Sequence, residues 1–209
     1  MKALKAKCVL QQQGCVFRRQ LHICLTGIGN PEPQYQFTRH NAGLVLLDMI
    51  KEHYLPNHPW RQCTIPKVAA KFCHDIKNDM LFLRSDGDYI NRSGHNILPI
   101  WKKVVPIKTC FVVHDELSLP FGKVQLRLPG RSIRGHNGLR DIVAKVGPHI
   151  QFHCLAIGIG RPASRDPETV AQYVLQRLTT EELATLKQLA LPAALQKMRH
   201  LAFPGHRSV

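Results

Sequence analysis

The stretches LHICLTGIG (residues 21–29) and NAGLVLLDMIKEHY (residues 41–54) decide the fold. The first is a short apolar run closed by glycines and reads as a strand. The second sets Leu44, Leu47 and Ile50 at helical spacing. A strand followed by an amphipathic helix, repeated along the chain, reads as an α/β domain. Outward from this pair come the strands VAAKFC (68–73) and MLFLRS (80–85), then a helix near 91–104 in which Pro99 predicts an early bend. TCFVVHDE (109–116) and KVQLRL (123–128) read as strands and suggest a hairpin-like pair. HNGLRDIVAKVG (136–147) spaces Leu139, Ile142, Val143 and Val146 as a helix and stops at Gly147. The strand FHCLAIGIG (152–160) precedes two C-terminal helices. The last of these opens on a capping box, Thr179 with Glu182, and Pro192 should kink or divide it. The expected architecture is one α/β domain over 21–209, a twisted mixed, mostly parallel sheet flanked by helices on both faces.

Composition supports a folded chain: of 209 residues, 44% are hydrophobic and 21% charged. No apolar run approaches the roughly 20 residues of a membrane span, so a membrane partner is not expected. Lys and Arg number 29 against 14 Asp and Glu, a formal charge of +15. Such a field favours a polyanionic partner, nucleic acid before a membrane surface. Residues 1–20 hold Lys2, Lys5, Lys7, Arg18 and Arg19, and the first acidic residue of the chain is Glu32. This basic N-terminal extension reads as a targeting leader, which implies a mitochondrial address and otherwise a cytoplasmic one; the alternative is a basic arm that helps hold RNA. The 7 cysteines, none in a C-x-x-C arrangement, read as small buried hydrophobes in a reducing compartment. No exposed apolar seam argues for a dimer, so a monomer is expected.

Several motifs fail on their context. Gly27-x-Gly29 follows a strand, but Glu32 and a Pro-rich loop stand where a dinucleotide site opens a helix. Gly158-x-Gly160-x-x-Ala163 is followed by Pro-rich sequence as well, so no nucleotide cofactor is expected. His114-Asp115-Glu116 lacks the thiolates that would complete a deaminase zinc site, and His149 and His153 straddle a helix-to-strand junction. No metal is expected, and a G-x-S-x-G nucleophile elbow is absent.

What remains is a set of polar residues where strands end and helices begin, the place where doubly wound sheets bind ligands. Gly29-Asn30-Pro31 through Arg39-His40-Asn41, then Asn91, Asp115 and His136-Asn137 would meet there. A histidine held by an aspartate can draw a proton from water, and asparagines can grip a peptide main chain and a developing oxyanion without adding charge. Each residue alone has a plainer reading: Asn41, Asn91 and Asn137 as helix caps, His40 as a structural histidine.

Together, LTGIGNPEPQYQFTRHNAGLVLLDMI, SDGDYINRSG, VVHDELSLPFGKVQLRL, IRGHNGL and LAIGIGRP resemble the bacterial-type peptidyl-tRNA hydrolases in order and spacing. The resemblance runs from about residue 22 to the end. It implies a metal-independent esterase without cofactor that cleaves the bond between a peptide and the 3′ ribose of tRNA, recycling tRNA from stalled translation. By motif position His40 is the catalytic histidine, Asp115 its partner, and Asn30, Asn91 and Asn137 hold the peptide and position water. Tyr35, Tyr89 and His136 would line the site. The partner implied is the acceptor stem of peptidyl-tRNA, held through phosphates.

Three departures stand out. Tyr89-Ile90-Asn91 replaces the family's usual F-M-N, changing an apolar wall while keeping the asparagine. PGRSIRG replaces a glycine-rich run and adds Arg131 and Arg134, the latter a candidate RNA contact. Cys154 and Ala156 stand where relatives carry arginines, in the region of the clamp for the tRNA 5′ phosphate, leaving Arg127 as the remaining half. A non-catalytic RNA-binding relative, like the splicing factors related to this family, is the alternative; the intact polar set favours catalysis.

Overall fold

The computed structural model describes residues 23–104, 109–133, 135–147 and 150–202, so the basic N-terminal extension lies outside it. From the first quoted stretch comes β1 (Ile23–Ile28), fully buried. Two 3₁₀ turns, Arg39–Asn41 and Ile90–Arg92, each lead into a helix: α1 (Ala42–Tyr54) and α2 (Ser93–Val104). The remaining strands are β2 (Arg61–Gln62), β3 (Lys71–Asp75), β4 (Met80–Ser85), β5 (Thr109–Glu116), β6 (Val124–Arg127) and β7 (Phe152–Gly158). Helices α3 (Asn137–Lys145), α4 (Pro167–Leu175), α5 (Thr180–Thr185) and α6 (Leu191–Ala202) complete the described elements.

One sheet has the order β2-β3-β4-β1-β5-β7-β6. Pairs β1/β4, β1/β5 and β5/β7 are parallel, while β2/β3, β3/β4 and β6/β7 are antiparallel. The sheet is mixed, as expected, but parallel at its centre and antiparallel at both edges rather than mostly parallel. The hairpin suggested for 109–128 does not form either, because β7 lies between β5 and β6. The chain is carried across the end of β7 by its turn: Gly122 N–H donates to Gly158 O (2.9 Å) and Gly158 N–H to Lys123 O (2.8 Å). A Cβ on Gly158 would sit 2.0 Å from Pro120 O, so only glycine admits this crossing.

Strand alternation divides the core in two. Ile23, Leu25, Phe82, Phe111, Val113 and Leu155 face α1 and the C-terminal helices. Cys24, Leu81, Leu83, Cys110, Val112 and Cys154 face α2 and α3. Helices therefore cover both faces, as the sequence predicts. Trp101, fully buried on α2, donates its indole N–H to Thr26 Oγ1 at 3.0 Å, which satisfies the one polar atom it takes out of water. Helix α2 continues through Pro99 to Val104. On α3, Leu139 and Ile142 are buried but Val143 is 47% exposed, and the helix ends at Lys145 with Val146 extended.

The capping box of Thr179 and Glu182 is present. Beyond it the helix widens into a π turn, Leu186–Ala190, where Leu191 N–H reaches back to Leu186 O. Pro192, which lacks an amide hydrogen, follows directly, so the helix is divided where expected. Cys24, Cys63, Cys73, Cys110 and Cys154 are buried free thiols; Cys8 and Cys15 lie outside the described residues. No helix among those residues is long and apolar enough to cross a membrane.

Candidate active site

The parallel strands β4, β1, β5 and β7 end on one side, and their following loops build a crevice of about 710 Å³. At the end of β1 the peptide of Asn30 is clasped by Asn41, whose Oδ1 accepts from Asn30 N–H (2.7 Å) and whose Nδ2 donates to Asn30 O (3.1 Å). Asn41 thus holds Asn30 rather than capping α1. Asn30 Oδ1 in turn accepts from Ile90 N–H (3.0 Å), which fixes the amide plane. Its Nδ2 has no partner among the described residues and lies at the crevice wall.

His40 sits in the 3₁₀ turn before α1, and that helix approaches β5 closely enough that a Cβ on Gly43 would meet Val113 O at 2.6 Å. The approach brings His40 Nδ1 to 2.8 Å from Asp115 Oδ1 at the end of β5. The same oxygen receives His136 Nε2 at 2.9 Å. His136, not Asn137, caps α3: its Nδ1 accepts from Leu139 N–H at 3.2 Å. An accepting Nδ1 fixes the proton on His136 Nε2, so the hydrogen-bond network assigns both imidazoles as donors to Asp115. His40 then carries its proton on Nδ1 and presents a bare Nε2.

The electrostatics follow. Burial pushes the Asp115 carboxyl up, but the two imidazoles beside it outweigh this and hold it well below the carboxylate range. Burial pulls His40 down, and the Asp115 charge and hydrogen bond raise it more, leaving its pKa above the ordinary 6.5. Behind them His114 is fully buried and donates Nδ1–H to Asp115 O (2.7 Å). Burial, then the neighbouring His136, pushes His114 down to about 3, so it stays neutral.

Of the residues predicted for the site, Asn30, His40, Tyr89, Asn91, Asp115, His136 and Asn137 line the crevice. Tyr35 does not: it stands edge-on behind Tyr89, ring centres 6.1 Å apart. Sequence reasoning missed the far wall, where Leu117, Arg161, Arg165, Val170 and Val174 join the lining. The available signal was position, since the loop after β7 also leaves a strand's carboxyl end. The wall is tied to the His40 turn through Arg39, which donates to Gln176 Oε1 (3.1 Å) and Glu182 Oε1 (2.8 Å) and stacks 4.6 Å over the Tyr173 ring.

The RNA-contact residues fare differently. Arg127 is 7% exposed and ion-paired with Glu116, and its Nε donates to Gln125 Oε1 (3.1 Å). These bonds brace β6 against the end of β5, while Arg127 Nη1 is buried without a hydrogen-bond partner among the described residues. Arg134 lies outside the described residues. Cys154, opposite Arg127 in the register, is buried with its thiol pushed up to about 12 by that burial.

His40, Asp115 and His136 also form the one cluster of potential metal ligands among the described residues, its ligand atoms within 4.8 Å of one another. Hydrogen bonds within the cluster compete with a cation for the same atoms. Both imidazoles spend N–H groups on Asp115, and a metal on His136 Nε2 would shift its proton to Nδ1, against the Leu139 N–H.

A family model described as peptidyl-tRNA hydrolase matches residues 24–207. The chain is 45% identical over 176 residues to the peptidyl-tRNA hydrolase of Saccharomyces cerevisiae, covering 82% of this chain and 92% of that one. It is 35% identical over 166 residues to that of Geotalea daltonii, covering 79% and 82%. Among solved structures, the peptidyl-tRNA hydrolase of Acinetobacter baumannii superposes with a TM-score of 0.64 at 30% identity, covering 88% of this chain and 97% of that one.

Proposed function

This chain belongs to the peptidyl-tRNA hydrolase family and is an ester hydrolase, and on that premise we propose that His40 Nε2 is the base that activates water against the peptide-to-ribose ester. The observation that carries this is the hydrogen bond of 2.8 Å from His40 Nδ1 to Asp115, which turns the bare Nε2 toward the crevice. Water gives a proton to Nε2 as its oxygen bonds to the carbonyl carbon. Asp115, held ionised, stabilises the imidazolium that forms. Asn30 Nδ2, locked by Asn41 and Ile90, supports the oxyanion. On collapse the bond to the ribose 3′ oxygen breaks and His40 returns the proton to that oxygen, releasing peptide and tRNA. Asn91 and Asn137 hold the peptide main chain, with Tyr89 as an exposed aromatic wall, and His136 orients Asp115.

The chemistry needs no metal, and the way Asp115 spends its oxygen on two N–H donors supports that reading. Hydrolysis of N-acetylaminoacyl-tRNA that persists in EDTA tests it; loss that zinc restores would refute it. Recycling tRNA from stalled translation is the role such a reaction serves. The basic, acid-poor residues 1–20 support a mitochondrial address, and a fluorescent fusion that stays cytosolic would refute it. The chain works as a monomer, which light scattering at micromolar concentration would check.

A further inference from the structure

Resting on that reaction, we infer that the loop after β7 is the RNA-side subsite of the crevice: Arg161 and Arg165 bind the last phosphates of the single-stranded 3′ end. The substrate is chemically two-sided. On one side of the scissile ester is a peptide whose main-chain amides carry no charge, on the other a strand with a negative charge at each phosphate.

The crevice is two-sided in the same order. Across the sheet run β4, β1, β5 and β7, followed respectively by Asn91, by Asn30, by the strand-ending Asp115 with its two imidazoles, and by Arg161 and Arg165. The uncharged amides lie to one side of the reacting centre and the cations to the other. Strands are spaced about 4.8 Å apart, so the β7 loop begins about one spacing from Asp115. An arginine side chain spans the remaining distance to a phosphate adjoining the terminal nucleoside.

The charge balance leaves these two cations available. Among the described residues Arg127 is buried and ion-paired with Glu116, Arg84 with Glu32, Asp48 and Asp86, and Arg39 with Glu182. Arg161 and Arg165 are exposed, line the crevice, and form no ion pair among those residues. Their loop is anchored at both ends. Tyr173 Oη donates to Ile159 O (2.6 Å) before it, and after it Asp166 caps α4 by accepting from Thr169 N–H (2.8 Å). Two guanidiniums on a pinned loop lose little freedom on meeting phosphates.

The test is the double variant Arg161→Gln, Arg165→Gln, folded as judged by circular dichroism. With N-acetylaminoacyl-tRNA, KM should rise about tenfold and kcat stay within about twofold, because both contacts hold ground state and transition state alike. The salt dependence of kcat/KM should lose about 0.7 in log–log slope for each single-stranded phosphate released. Competitive inhibition by the trinucleotide CpCpA should weaken about tenfold, while the weaker inhibition by adenosine, which has no phosphate, stays unchanged. Unchanged KM and CpCpA inhibition would overturn the inference, as would an equal loss against adenosine. A wild-type protein that hydrolyses nothing yet binds CpCpA through these arginines would instead overturn the proposed reaction and leave the subsite standing.

Discussion

Two buried charge clusters, one at Arg84 and one at Asp115, differ in what they leave unspent. Arg84 on β4 donates through every nitrogen: Nε to Asp48 (3.1 Å), Nη2 to Glu32 (2.9 Å), and Nη1 to Asp86, which also holds Lys71 (2.7 Å). Burial pulls its pKa down, but those carboxylates raise it further above its ordinary value, so it is a permanently charged tie between β4, α1 and the loop after β1. Asp115 is buried as deeply, at 3% exposure, and is perturbed as strongly. Its cluster, however, ends in a bare His40 Nε2 and an unengaged Asn30 Nδ2, both at a crevice. Burial and a shifted pKa are common to structure and chemistry; unspent bonding capacity aimed into a cavity separates the two.

That contrast is open to attack by substitution. The largest effect should come from Asp115→Asn, which offers N–H groups to imidazoles that are already donors. It should lower kcat by about 10²–10⁴ with tRNA binding retained. The residual activity should also change its pH profile. His40 must be neutral to accept a proton, and its raised pKa places the acid limb of the wild-type profile above pH 6.5. Removing the Asp115 charge removes what raises it, so the limb should move to lower pH; an unmoved limb would assign the titration to another group. The converse experiment is Arg84→Met, which takes the cation from Glu32 and Asp48 and leaves Asp86 with Lys71 alone. It should cost about 3–5 kcal/mol of stability in denaturant unfolding while the activity of the folded fraction stays near wild type. A folded Arg84→Met protein with kcat reduced a hundredfold would erase the distinction.

Smaller effects sharpen it. Arg39→Ala cuts the tie between the His40 turn and the α4 wall, and with it a part-buried charge-assisted pair to Glu182. A loss of about 1.5–3 kcal/mol and a several-fold fall in kcat are expected, measured by thermal unfolding and single turnover. Thr179→Ala removes one half of the capping box but leaves Glu182 in place to hold Arg39. It should cost about 1 kcal/mol with no change in kcat/KM.

Much of this was legible in the sequence because periodicity and glycine placement are local. The apolar runs gave the strands, Thr179 and Glu182 gave the cap, and the strand-end positions of Asn30, His40, Asp115 and His136 gave the site. The hairpin failed because strand pairing is non-local: nothing within 109–128 states that residues 152–158 insert between its two strands. The burial of Arg127 was hidden for a related reason, since its partner Glu116 lies 11 residues away across a turn whose path depends on Gly158. Tyr35 fell behind Tyr89 because the loop 30–38 folds back on itself, with Tyr35 N–H on Pro31 O at 3.0 Å. The Arg161 and Arg165 wall lacks any motif of its own, and only the sheet order reveals that it faces the crevice.

The role of His40 is tested most directly by hydrolysis of N-acetylaminoacyl-tRNA in EDTA by the wild type and by His40→Ala, with tRNA affinity measured beside it. Turnover by the wild type, reduced at least a hundredfold in the variant at unchanged affinity, is the predicted result. A variant that keeps its turnover would show that the base lies elsewhere and contradict the assignment of His40 Nε2.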